Sequence, residues 1–102
     1  MMKRHKVSVT VEGRSIRVAP DPLIMTTDDE LHWGSSGSQR FTIEFDGKGP
    51  FSAATLGHDV AAAPQRPKQR GRFKYTVVLE SDPSVRLDPE VVVNPPPTEP
   101  GP

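Results

Sequence analysis

An all-β sandwich of about seven short strands is the fold the sequence predicts, on three observations. Apolar and polar residues alternate with a period of two in several separate runs, the pattern of strands with one buried face. Clusters rich in glycine, proline, serine and aspartate divide those runs. Only Ser52 to Ala63 has a composition suited to a short helix.

Val7, Val9 and Val11 alternate with Ser8, Thr10 and Glu12 to give the first strand, which Gly13 and Arg14 turn back into a second containing Ile16 and Val18. Pro20 and Pro22 then impose an extended, kinked passage, because proline lacks an N–H and restricts the residue before it. Leu23 to Thr26 resumes extended structure near a sheet edge. Thr27, Asp28 and Asp29 supply turn chemistry, and Leu31 and Trp33 follow on an inward register with His32 outward. Gly34 to Ser38 is expected to be a flexible loop. Phe41, Ile43 and Phe45, alternating with Thr42 and Glu44, form the clearest strand in the chain. A short helix or loop insertion is expected around residues 52–72, broken by Pro64 and Pro67. Phe73, Tyr75, Val77 and Leu79 restore the alternation, and a turn at Ser81 to Ser84 leads to a last strand through Val91 and Val93.

The expected domain organisation is an N-terminal extension over residues 1–5, a sandwich over 6–94 and a Pro-rich disordered tail over 95–102. The 102 residues suffice for one domain. Lysine plus arginine and aspartate plus glutamate both number 13, so no overall field draws nucleic acid or an anionic membrane, and any electrostatic role must be local. The absence of cysteine removes disulfides, thiolate metal sites and cysteine nucleophiles together. No segment approaches the roughly 20 apolar residues of a membrane span. The basic opening MMKRH is interrupted by Glu12 and Arg14 before a signal-type apolar stretch accumulates, so a cytoplasmic location is expected, although a mature exported chain would read the same way.

Three segments, VTVEGRSIRVAPDPLIMTTDDELHW, FTIEFDGKGPF and GRFKYTVVLESDPSVRLDPEVVV, resemble a bacterial cupredoxin when taken in order. In that family an opening strand leads through a proline-containing bend to a strand ending in tryptophan, here Trp33, and a Gly-aromatic-x-aromatic strand comes late, here Gly71 to Tyr75. The resemblance implies a Greek-key β-sandwich. It also implies a copper site of two imidazoles, a thiolate and a weak axial methionine, of the plastocyanin or azurin type. The positions disagree with the second implication. No histidine occurs between Trp33 and His58, and Phe73 to Val93 contains no cysteine, histidine or methionine, with Val77 standing about where the thiolate belongs. The expectation is therefore a cupredoxin-like scaffold with no metal and no cofactor.

His5, His32 and His58 lack the spacing that would place two of them on one helix as ligands, which leaves a metal site in a non-standard arrangement as an alternative only. His32 is expected as an exposed strand residue. His58 beside Asp59 is a poor catalytic pair, Gly34 to Ser38 lacks the G-x-S-x-G pattern, and no phosphate loop or calcium loop is present, so an enzyme is not expected. Charge is segregated in one place. The stretch Val60 to Leu79 carries Arg66, Lys68, Arg70, Arg72 and Lys74 and no acid. As a site, the basic loop 65–74 would contact an acidic protein, another anion or nucleic acid, with Arg66, Lys68 and Arg70 as the contact residues. Its commoner fate is a solvated Pro-rich connection whose charges guard a sheet edge. Trp33 and Tyr75, the one tryptophan and the one tyrosine, both fall on inward registers, leaving little for base stacking. The function expected is a non-enzymatic binding or assembly module whose partner is another protein.

Overall fold

The computed structural model describes residues 3–35, 37 and 39–95. Along them run β1 (Arg4–Glu12), β2 (Ser15–Ala19), β3 (Leu23–Thr26), β4 (Glu30–Ser35), β5 (Phe41–Phe45), β6 (Thr55–Leu56), helix α1 (His58–Ala61), β7 (Gly71–Leu79), β8 (Arg86–Leu87) and β9 (Glu90–Asn94). The strands form two mixed sheets. The smaller has the order β2-β1-β4, with β1 antiparallel to β2 and parallel to β4. The larger has the order β3-β9-β7-β5-β6, with β8 added along β7 and β3 parallel to β9.

Gly13 starts the β1–β2 turn at φ +61°, the positive value that a two-residue II′ hairpin assigns to its first central residue. The passage through Pro20 and Pro22 is where the chain leaves the smaller sheet, after β2, and joins the larger one as β3 at its edge. Proline suits that crossing, since neither sheet needs an N–H from those positions.

The inward registers of both sheets meet in one core. Val7, Val9, Leu31 and Trp33 come from the smaller sheet, and Phe41, Ile43, Tyr75, Val77 and Val91 from the larger. Trp33 is fully buried and stands edge-on to Phe45, Phe51 and Tyr75 with ring centroids 6.2, 6.0 and 5.6 Å away. Its Nε1–H donates to the Tyr75 hydroxyl at 3.3 Å, so the polar edge of the indole is satisfied inside the apolar cluster.

Four expectations change. The strands outnumber the seven expected because β6 and β8 are two residues each, too short to show a period. The helix expected within Ser52 to Ala63 contracts to His58–Ala61, since Thr55 and Leu56 pair with Glu44 and Ile43 as a strand and Pro64 follows close behind. Gly34 and Ser35, expected in a flexible loop, continue β4 by pairing with Ser8 and Val9. Finally β1 begins at Arg4, inside the supposed N-terminal extension, because Arg4 and His5 pair with Glu30 and Leu31. The tail expected over 95–102 lies, from residue 96 onward, outside the described residues.

Candidate functional site

The basic loop is fixed by its backbone. After α1, Gln65 exchanges two hydrogen bonds with Leu31 on the outer edge of β4: Leu31 N–H donates to the Gln65 carbonyl at 2.9 Å, and Gln65 N–H to the Leu31 carbonyl at 2.7 Å. The Gln65 side-chain amide donates back to the carbonyls of Val60 and Ala63 at 3.0 and 3.3 Å. Pro67 is buried, and Lys68 N–H donates to the Pro50 carbonyl at 2.6 Å. The loop thus covers the free edge of β4, the position where an unpaired strand would otherwise be open to other chains.

Local alternation then sets the side chains. Pro67 is buried and Gln65 half-buried, its amide folded back on the loop, and Arg66 and Lys68, between and after them, are exposed together with Arg70. Among the described residues, none of these three cations joins an ion pair. Several arginines elsewhere are paired, Arg4 with Glu30, Arg14 with Asp82, Arg40 with Asp59 and Glu80, and Arg72 with Glu90 at 3.1 Å, whereas Lys6, Lys48, Lys74 and Arg86 join no ion pair among the described residues either. Arg72 and Lys74 belong to β7 and not to the loop proper. The sequence-predicted trio is therefore brought together on one exposed segment.

A concavity lies on the larger sheet, an open cleft of about 280 Å³ lined by Asp46, Lys74, Tyr75, Thr76, Arg86 and Asp88. Thr76 donates to Asp88 at 2.8 Å, and Tyr75 accepts the Trp33 hydrogen bond. Burial pushes the Tyr75 phenol well above its ordinary pKa, outweighing that hydrogen bond. The phenol is neutral at any physiological pH.

The histidines occupy three separate settings. His58 accepts the Phe41 N–H at Nδ1, 3.2 Å away, and packs edge-on to the Phe41 ring; its neighbour Asp59 turns instead to Arg40. His32, expected to be exposed, is half-buried, and its Nδ1 is enclosed without a hydrogen-bond partner. His5 contacts Asp29, 3.0 Å from Nε2 to the carboxylate. No group of three or more His, Asp or Glu side chains gathers among the described residues.

Asp29 is the functional-looking residue that periodicity missed. It is 4% exposed and accepts the N–H groups of Lys3 and Thr26 at 3.1 and 2.9 Å besides contacting His5, so it ties the start of β1 to the β3–β4 turn. Burial acts to raise its pKa, but the hydrogen bonds from His5, Thr26 and Lys3 and the charge of His5 together hold it below the usual aspartate value. The one sequence signal was its place in a Thr-Asp-Asp turn.

At the end of β7, where the resemblance sets a copper thiolate, Val77 is fully buried between its cross-strand neighbours Ile43 and Leu87. Val78, Leu79 and Val85 are buried beside it.

Two mixed sheets with this order, closed over a core of alternating strands, define a cupredoxin-like β-sandwich. The solved structure of a pseudoazurin from Sinorhizobium meliloti matches it with a TM-score of 0.62 over 94% of this chain and 77% of that chain, at 15% sequence identity. The likeness is one of fold. No family model and no curated protein matches the chain.

Proposed function

We propose that this chain is a non-enzymatic binding or assembly module that uses a cupredoxin-like scaffold without a blue-copper site and contacts another protein through Arg66, Lys68 and Arg70. The observation that carries this reading is the loop itself: three exposed cations without an acidic partner among the described residues, on a segment whose backbone is tethered to β4 and to Pro50. A tethered cationic segment presents its charge with little ordering cost on binding.

The donor set speaks against copper. A blue-copper centre requires a thiolate, the chain has no cysteine, and Val77 fills the expected position with a buried isopropyl group. His58 is the first histidine after Trp33, and its Nδ1 is engaged with the Phe41 N–H. These residues do not fit a type 1 copper ion. Adding Cu(II) to the pure protein is expected to give no intense visible charge-transfer band, and a strong blue colour would reject the reading. The non-enzymatic part is supported by the contacts that hold His5 and His58 and by the neutral, hydrogen-bonded Tyr75.

An affinity pull-down from the native host at moderate salt tests the contact. The triple reversal of Arg66, Lys68 and Arg70 to Glu is expected to lose the protein that the wild type retains, and wild-type retention is expected to fall as salt rises. A folded triple variant that keeps the partner refutes the assignment.

A further inference from the structure

We propose that the basic loop is one margin of a larger cationic face that includes Lys6 on the outer surface of the smaller sheet, and that this face receives an acidic protein segment. The inference rests on the loop being a contact site and extends it to residues outside the loop.

Strand β4 lies between β1 and the loop. On one side Arg4 pairs in register with Glu30 and Lys6 with His32; on the other, Leu31 bridges to Gln65. Leu31 is buried, so its neighbours Glu30 and His32 lie on the opposite face of β4, and the Leu31–Gln65 bridge sets exposed Arg66 across from Glu30. Arg4, Glu30 and Arg66 consequently form one row across three neighbouring segments, spaced by roughly 5 Å each, and Lys6 and His32 form the next row.

Charge on these rows does not cancel. Glu30 is held by Arg4 at 3.2 Å, and Arg17 on β2 is near Glu12 at 3.8 Å. Lys6, Arg66 and Lys68 are exposed and have no acidic partner among the described residues, so the face carries uncompensated positive charge that continues from the sheet onto the loop.

Relief on the same face is low. Gly34, Ser8 and Ala19 are matched across β4, β1 and β2, a row of small residues. The Lys6 stem lies over Gly34, where an added Cβ would come within 2.8 Å of Lys6 Cε, so the ammonium is carried along the sheet surface instead of standing away from it. His32 is folded in, with Nδ1 enclosed.

The chemistry of this face favours carboxylates over nucleotides. Nucleic-acid platforms add exposed aromatic rings on which bases stack, and here Trp33, Tyr75, Phe41, Phe45 and Phe51 are buried, while the partly buried Phe73 belongs to β7 of the larger sheet. A low, cationic surface that carries no Trp, Tyr or Phe among the described residues fits an extended segment rich in aspartate or glutamate.

Fluorescence anisotropy on the full chain tests this at low salt with two labelled probes, decaglutamate and decathymidylate. The expected result is tighter binding of decaglutamate, weakened at least about threefold by Lys6→Glu and by Arg66→Glu and unaffected by Arg86→Glu on the larger sheet. Lys6→Gln, checked by circular dichroism, removes the charge without placing an acid beside Glu30, and a smaller loss of the same sign is expected. If Arg66→Glu weakens binding and both Lys6 variants do not, the extended face is wrong and the loop acts alone. If none of the variants weakens binding, or decaglutamate does not bind, the loop assignment falls as well. Tighter binding of decathymidylate overturns the partner class, and an equal loss in Arg86→Glu overturns the location.

Discussion

Trp33 and the basic loop are both firmly placed, by opposite means. Trp33 is held through its side chain, which touches rings from the larger sheet and donates to Tyr75. The loop is held through its main chain and the buried Pro67, while Arg66, Lys68 and Arg70 are left to solvent. The difference separates the atoms that carry stability from those available for recognition, and it predicts how far a substitution in each region should propagate.

The largest effect is expected at the indole. Trp33→Ala should destabilise the domain by about 3–5 kcal/mol, the usual range for deleting a buried large aromatic, out of a total stability on the order of 5–15 kcal/mol. It also leaves the buried Tyr75 hydroxyl without its donor. Trp33→Phe keeps a ring against Phe45 and Phe51 and is expected to cost distinctly less. Urea unfolding of both variants measures this, and a loss in Trp33→Ala no greater than that of a surface substitution would break the comparison.

Asp29 occupies the middle ground, a side chain that is buried yet polar. Removing it in Asp29→Ala leaves the N–H groups of Lys3 and Thr26 and the His5 imidazole without their acceptor, which should cost about 2–4 kcal/mol. The pH dependence has a definite sign. Because its pKa is depressed in the folded state, Asp29 contributes its full stabilisation above the ordinary aspartate value of 3.8 and loses it as pH falls through the lower, folded value. The melting-temperature gap between wild type and Asp29→Ala should therefore narrow as pH falls below about 4. A gap that persists unchanged into strong acid would show that Asp29 acts by packing alone.

The parts of this fold that were legible in the sequence are those that obey a two-residue period. Leu31 and Trp33, and the trio Phe41, Ile43 and Phe45, declare both their strand and their buried face. Arg4 to Lys6 did not, because three polar residues in a row hide a register fixed only by parallel pairing with β4. The His5–Asp29 contact spans 24 positions in the chain and depends on that same pairing. Exposure of Arg66, Lys68 and Arg70 followed from their Pro-rich surroundings. The Gln65–Leu31 bridge that aligns Arg66 with the outer face of the smaller sheet did not, since one isolated bridge leaves no periodic trace.

The smallest effect on stability is expected in the loop. Reversing Arg66, Lys68 and Arg70 to Glu removes no ion pair among the described residues and touches neither the Gln65 backbone pair nor buried Pro67. Exposed substitutions away from such features usually stay within about 0.5 kcal/mol each. Repulsion among the three cations is relieved and replaced by repulsion among three carboxylates, so the sign of the small residual is set by neighbours, chiefly Lys6 and the Arg4–Glu30 pair on the adjoining face. Attraction of the new acids to Lys6 would appear as a slight stabilisation that fades with salt. Thermal unfolding at low and high salt measures it. A large, salt-independent loss would mean that these side chains hold the loop in place, and the division between a side-chain-held core and a backbone-held contact loop would then fail.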